Sequence, residues 1–562
     1  MKSDKIIKIT VISAIIFLFL SILGLTYAYF SLEIEGTPKD IVMTTGDLRL
    51  EYKDETELKL DGAFPGDSVS KVVTVKNVGT VSVVYSLYWG DLINTIENFE
   101  LHVTLDCKSY INYGESNQTE SGTCDNIYRA VPISNTTTTG NIKGNISIEP
   151  GITQEYTVIV KFDNKNYPQN GNMNRTFTGK IGIQEYTAPE VVNCTFDGEL
   201  TQGAEYVNGQ YTYRYKQQGA YSSTTDLAWN NIVTDGWGVQ LTDKASTDPV
   251  TSKVCTYIND KPVISMSYMF ANSQAASIDL SSFNTSNVTN MDSMFHQSQV
   301  ASLDLSSFDT SKVTKMSNMF TKSKVEELDL SGFDTSNVTN MNGMFVSSET
   351  KIIDLSSFDT SNVTSMYYMF YGSKATTLDL SSFDTKNVTV MSGMFGNSQA
   401  LVIDLSNFDT SKVTDMSWMF YGTKAEKLDL SSFNTSNVTN MSDMFGLSKV
   451  VTLKGLEIFN TSNVTNMSNM FEFANLTTLY LSSFDTSKVT NMKRMFYAMS
   501  KLKSIYVSDK FITDNVTSSD YMFDSTGNLV GGNGTAYNSS YIDKTYARID
   551  TESTPGYFTA KQ

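Results

Sequence analysis

The chain repeats itself. A Met-Phe pair ends at Phe270 and recurs at Phe295, Phe320, Phe345, Phe370, Phe395, Phe420, Phe445, Phe471, Phe496 and Phe523. The step is 25 residues seven times, then 26, 25 and 27. A fixed period of this size is the signature of a solenoid, in which each repeat is one supersecondary unit that buries its apolar face only by stacking on its neighbours.

Each copy has two apolar parts. Leu328-Asp329-Leu330 alternates, which predicts a short strand with Leu inward and Asp outward. Val338, Met341, Met344 and Phe345 stand at offsets 0, 3, 6 and 7, which predicts one face of a short helix or 3₁₀ stretch. Between them Phe333 to Asn337 reads as a turn-rich corner holding helix-start residues. The Asn-Val-Thr triplets, as at 337–339, match a glycosylation acceptor but read here as capping chemistry. The expected fold is therefore a mostly β repeat protein, a leucine-rich-repeat-like solenoid with a strand and a short helix in each 25-residue turn. Ten stacked strands at ~4.8 Å give a sheet roughly 45–50 Å long. The repeated methionines are expected in the core as gap-filling side chains.

Two columns face outward from the expected sheet. One is nearly constant, running Asp279, Asp304, Asp329, Asp354, Asp379, Asp404 and Asp429 before it switches to Lys454, Tyr480 and Tyr506. Carboxylates stacked at ~4.8 Å repel unless they are compensated. Either each accepts hydrogen bonds from neighbouring Ser or backbone groups, or the column is a surface for cations or a basic partner. The adjacent column varies, through Ser277, Ser302, Glu327, Ile352, Thr377, Val402, Lys427, Thr452 and Thr478. Varied side chains on a rigid sheet can discriminate between partners. The candidate binding face is therefore the Asp column together with Glu327, Ile352, Val402 and Lys427.

The wording of Leu303 to Phe320 (LDLSSFDTSKVTKMSNMF) resembles the BspA-like bacterial surface repeat, a leucine-rich-type module of about the same length. The resemblance covers nearly half the chain. It implies an extracellular solenoid, often linked to adhesion, and names no ligand.

The rest of the chain divides around this array. Lys2, Lys5 and Lys8 precede an apolar run from Ile9 to Leu25, so residues 1–28 read as a signal peptide cleaved after Ala28 or a retained membrane anchor. Either places the remainder outside the cell, secreted or at the surface. Residues 29–187 read as an all-β sandwich or jelly roll: Val81, Val83, Tyr85, Leu87 and Trp89 alternate, as do Tyr156, Val158, Val160 and Phe162. The segments Ala28-Tyr29-Phe30, Gly46-Asp47-Leu48, Pro65-Gly66-Asp67 and Lys76 to Thr80 resemble the TasA/camelysin family of secreted matrix proteins. That resemblance implies assembly by strand exchange, with Ser31 to Glu35 as the donated strand. Residues 188–260 are expected to cap the solenoid, 261–525 to form eleven repeats, and 526–562 to form a C-terminal cap or tail.

Little here points to chemistry. The TasA/camelysin resemblance brings a metallopeptidase label, but the chain has two histidines and no His-Glu-x-x-His. His102, between Leu101 and Val103, is expected to face solvent, and His296 to lie in a repeat turn. No catalytic residues, metal ligands or cofactor are assigned. The net charge of −18 argues against a nucleic-acid partner. In an exported chain the layout favours disulfides Cys107–Cys124 and Cys194–Cys255, with buried free thiols as the alternative. Lys253-Val254-Cys255 is expected to hold the strand position of the first coil. The function expected is that of a non-catalytic, adhesin-like protein presenting its solenoid to an extracellular protein or glycan. The alternative is a structural fibre or matrix subunit that self-associates through its N-terminal domain.

Overall fold

The computed structural model describes residues 41–561 apart from short stretches at 46–47, 54–56, 97–99, 125–126, 132–133, 164–168, 170, 186–189 and 218–234. The signal peptide or anchor expected at 1–28 and the strand expected at 31–35 lie outside the described residues. Among the described residues no helix is long and apolar enough to cross a membrane.

The N-terminal unit is two antiparallel sheets on one core. Its strands are β1 (Ile41–Thr45), β2 (Leu48–Lys53), β3 (Leu58–Ala63), β4 (Ser68–Asn77), β5 (Val83–Asn94), β6 (Leu101–Ile111), β7 (Thr119–Thr123), β8 (Ile127–Ala130), β9 (Ser134–Ile148), β10 (Ile152–Phe162) and β11 (Arg175–Glu185). One sheet runs β1-β2-β4-β10-β6-β7 with β8 also on β6, and the other runs β3-β11-β5-β9. The alternation read from the sequence places Tyr85, Leu87, Trp89, Tyr156, Val158 and Val160 in the core between them. The sheets are tied by polar bonds as well as by burial. Tyr52 Oη donates to the Ile181 carbonyl at 2.6 Å, and Tyr85 Oη donates to Gln154 Oε1 at 2.7 Å. Cys107 and Cys124 form a disulfide with Cα atoms 5.3 Å apart.

The next module holds β12 (Asn193–Cys194), β13 (Glu205–Asn208), β14 (Tyr211–Lys216), β15 (Gly236–Leu241), β16 (Tyr257–Ile258) and β17 (Lys261–Ser265), in the order β12-β16-β17-β15-β14-β13. Its Tyr211, Tyr213 and Trp237 belong to the same buried cluster as the solenoid. Tyr211 meets the first-coil Phe283 edge-on, with ring centroids 6.2 Å apart. The Cys194–Cys255 disulfide, Cα atoms 5.8 Å apart, staples this cap. One register differs from the sequence reading. Val250, not the segment at 253–255, pairs with Ile278 of the first full coil.

From there to Phe523 the chain is a β-solenoid, and its coils contain no helix where one was expected. Among the described residues the helical pieces are single 3₁₀ turns at Leu456–Ile458 and Lys544–Tyr546. The Met-Phe segment is instead a run of turns that bonds to the next coil. The N–H groups of Met266, Tyr268, Phe270 and Asn272 donate to the carbonyls of Asn290, Asp292, Met294 and His296 at 2.7–2.9 Å. The intervening Met269, Ala271 and Ser273 donate three residues back in their own coil, each at 3.1 Å. The residues two before and two after each Phe have positive φ, as at Tyr268 (56°) and Asn272 (61°), and the pattern holds to Tyr521 and Ser525. A right-handed helix has no such residues, and it would keep every one of these N–H groups for itself. The apolar spacing is satisfied all the same, because Val338, Met341, Met344 and Phe345 are fully buried.

The strands of the Leu-Asp-Leu face are two to four residues long and pair locally: β18 (Glu327–Asp329) with β19 (Ile352–Asp354), β20 (Thr377–Leu378) with β21 (Val402–Ile403), β22 (Lys427–Asp429) with β23 (Thr452–Lys454), and β24 (Thr478–Leu481) with β25 (Ser504–Val507). The unbroken ladder lies at the other edge, where bridges run from Ser265 through Asn290 and every following coil to Ser518. Phenylalanines stack along the interior, for example Phe345 on Phe370 with centroids 5.4 Å apart and planes 4° apart. β26 (Thr559–Ala560) adds to β25, and the buried Tyr557 and Phe558 cover the last coil.

The corner is held by a buried threonine column. Thr360 Oγ1 donates to the Asp384 carbonyl at 2.9 Å and accepts from the Asp384 N–H at 2.9 Å. The same pair of bonds joins Thr285 to Asp309 and Thr310 to Asp334. The Asn-Val-Thr triplet is a strut between coils and not a helix cap. Asn362 Nδ2 donates to the Ser336 carbonyl and Thr364 Oγ1 to the Thr339 carbonyl, both in the preceding coil. Replacing Thr360 by Val keeps the shape but leaves a buried N–H and carbonyl unpaired. It should cost about 1–3 kcal/mol in a urea titration, and Thr360→Ser clearly less.

Candidate binding face

The Asp column is built into turns. Asp279 Oδ1 accepts from the Ser281 N–H at 3.0 Å and its hydroxyl at 2.6 Å. Asp354 and Asp429 repeat both bonds with Ser356 and Ser431, as Asp329 does with Ser331. Asp304, Asp379 and Asp404 accept from the N–H of Ser306, Ser381 and Ser406 at 3.0 Å. Each carboxylate thus closes the turn that leaves its strand, which gives the column a reason to be constant apart from any ligand. A second such column, absent from the sequence reading, closes the next turn: Asp309, Asp334, Asp359 and Asp409 accept from the N–H two residues on.

The varied column stands beside it in register. Glu327 pairs with Ile352, Thr377 with Val402, and Lys427 with Thr452. Glu327 and Lys427 are exposed, and Ile352 and Val402 half-buried. The face is not uniform. Asp354 is only 6% exposed, and Asp379 Oδ2 lies 3.6 Å from His102 Nε2 of β6. His102 is therefore buried rather than facing solvent, with Nδ1 2.6 Å from Asp163 Oδ2. The first residues of β6 are covered on both sides, so alternation gives no outward position there. Among the described residues, no three His, Cys, Asp or Glu side chains gather to hold a metal ion.

At its C-terminal end the face changes. The 26-residue step inserts Gly455 at φ 91°, where a Cβ would press on the Leu430 backbone at 2.5 Å, followed by the 3₁₀ turn. A cleft opens there, lined by Val451 to Leu453, Leu456, Glu457 and Leu476 to Tyr480. Beside it Tyr480, 59% exposed, stacks on Tyr506 at 5.2 Å. The sequence signal for this cleft was the broken period together with the switch from Asp to Lys454 and Tyr480.

These observations define a β-solenoid repeat protein with a capped core and one patterned outer face. Three stretches, residues 246–352, 346–454 and 442–550, match the family described as Mycoplasma protein of unknown function, DUF285. Together they span more than half of the 562 residues, and the chain belongs to that family. No curated protein and no solved structure matches it. The tandem solenoid fits the BspA type of repeat protein broadly. The matched stretches all lie beyond the N-terminal unit, so its TasA/camelysin resemblance gains nothing from them.

The turn-closing carboxylates set a pH dependence. The Ser281 hydroxyl and N–H hold the Asp279 carboxyl below the usual range, and Ser431 and Ser487 do the same for Asp429 and Asp485. A carboxyl lowered in the folded state adds stability that is complete above its unfolded value and is lost as pH falls through the lowered one. Asp443 has the opposite sign. Burial pushes it up to about 6, so it penalises folding above that pH and releases the penalty as pH falls. The melting temperature should therefore rise from pH 7 to about 5 and fall below about 4. Circular dichroism melts check both limbs, and Asp443→Asn should reduce the upper one, to which Asp292 and Glu472, also raised by burial, contribute in the same direction.

Proposed function

We propose that this chain is a non-catalytic, secreted or cell-surface binding protein, adhesin-like in its use of the solenoid to recognise an extracellular protein or glycan. The observation that carries this reading is a nearly constant hydrogen-bonded frame bearing one outward column that varies from coil to coil. Scaffold positions repeat because stacking demands it. The positions at 277, 327, 352, 402 and 427 carry Ser, Glu, Ile, Val and Lys with no such demand. The cleft beside Tyr480 extends the same face. No cofactor is assigned. The N-terminal unit meets this face at Asp379, so a partner would engage the coils on either side of that contact. Changing residues 277, 327, 352, 402 and 427 to Ala together should abolish binding to responsive members of a panel of purified matrix proteins and glycans while leaving the melt unchanged. Binding that survives in an intact quintuple variant rejects the face.

The second reading, a fibre or matrix subunit, has one observation in its favour. β1 is the edge of its sheet, paired on one side to β2 and on the other to no described strand. Such an edge accepts an added strand from another chain. If filaments form and then persist after residues 31–35 are deleted, this reading fails.

A further inference from the structure

The turn face of the solenoid, away from the Asp column, carries groups of aromatic rings on two coils that are two steps apart. The coil of Phe370 bears Tyr367, Tyr368 and Tyr371, and the coil of Phe420 bears Trp418 and Tyr421. Within each group the rings touch: Tyr368 and Tyr371 have centroids 4.7 Å apart, and Trp418 and Tyr421 4.3 Å. Tyr367 is 40% exposed and the other four are half-buried.

Three features show that these rings are placed rather than left over. The coil after each group is stripped to glycine beneath them. A Cβ on Gly396 would lie 2.6 Å from the Tyr371 ring and one on Gly446 3.1 Å from Tyr421, and Tyr368 fills the space of a side chain at Gly393. Tyr368, Tyr371 and Tyr421 therefore lean over the next coil, and the paired rings are tilted to each other by 60° in the first group and 47° in the second. Tyr371 is fixed further, because its hydroxyl accepts from Asn397 Nδ2 at 2.8 Å. Finally, Tyr368 and Trp418 hold left-handed backbone positions, φ 55° and 61°. Several other coils put residues suited to that conformation there, such as Gly343 and Asn469, although the first and last coils also carry Tyr268 and Tyr521. A bulky aromatic at such a site is kept against its local preference.

We propose that this turn face is a glycan-binding platform that takes a neutral β-1,4-linked polysaccharide chain laid along the solenoid axis. The apolar faces of its sugar rings would stack on the Tyr368–Tyr371 group and on the Trp418–Tyr421 group. The two groups are two coils apart, roughly 10–12 Å from the strand spacing and from the 5.9 and 5.8 Å steps between Phe370, Phe395 and Phe420. A β-1,4-linked disaccharide is of comparable length, so every second sugar can meet a ring group. Flat rings with polar rims suit a ligand that is apolar on its faces and hydroxylated at its edges. Asn397, whose amide already bonds the Tyr371 hydroxyl, stands beside the rings as a partner for sugar hydroxyls. This surface is distinct from the sheet face, and the two readings fail separately.

The test uses the full chain with cellohexaose and chitohexaose as probes and α-linked maltohexaose as control, read by calorimetry and by Trp fluorescence. At least one β-linked hexaose should bind, and its affinity should climb steeply between disaccharide and tetrasaccharide, the length at which both ring groups engage. Tyr368→Asn and Trp418→Asn, which install the residue that other coils use at this position at Asn318 and Asn469, should each weaken binding about tenfold with the melt unchanged. The quintuple sheet-face variant should bind the sugar as the parent does. No binding of either β-linked hexaose, equal binding of the α-linked control, no gain with length, or a folded Tyr368→Asn/Trp418→Asn variant that binds like the parent would each overturn the proposal.

Discussion

The structure depends on a division of backbone donors in the Met-Phe segment. Every second N–H closes a turn within its own coil, and the others cross to the coil that follows. Met266, Tyr268, Phe270 and Asn272 set this pattern in the first coil, and it is copied to the last. Positive φ at the residues two before and two after each Phe permits it, because it turns alternate amides outward along the axis. Each coil thus leaves its neighbour a row of carbonyl-bound amides and a row of buried Met and Phe side chains. Neither row is satisfied alone, so the caps at the two ends are as necessary as the core between them.

The corner and the outer turns follow from this arrangement. Once the coils are stacked in register, a polar side chain that falls inside can find its partner in an adjacent coil. Thr360 does so by bridging both backbone groups of Asp384. The aspartates outside do the opposite and close turns within two residues, while asparagines such as Asn362 reach the preceding coil. The repeat wording is thus two sets of hydrogen bonds, one between coils and one within them, written over one apolar frame.

Much of this was legible in the residues. The period gave the solenoid, the Leu-Asp-Leu alternation gave the inward and outward faces, and the Met and Phe columns gave the core. The helix was misread because offsets of 0, 3, 6 and 7 also describe a chain of left- and right-handed turns, and apolar periodicity does not record the sign of φ. Tyr368 or Trp418 at a left-handed position gives no warning in the sequence, although Gly343, Gly393, Gly372 and Gly422 at equivalent places were a clue. Thr285 and its successors looked like corner residues because only stacking puts them inside. His102 looked exposed because alternation assumes one free face of β6, and Asp163 and Asp379 cover it. In the candidate face, the varied column was readable and its register confirmed, while the cleft beside Tyr480 required knowing what the extra residue at Gly455 does to the coil.

The uniform bonding from coil to coil has a consequence for how such a chain changes over generations. Because each interior coil offers its successor the same donors, acceptors and apolar rows that it receives, one coil can be removed or copied without altering either cap. The rod can grow or shorten only in whole units of about one strand spacing, and recombination between near-identical repeats of the coding sequence would supply those changes directly. Its length, and with it the reach of whatever it displays, is a digital quantity.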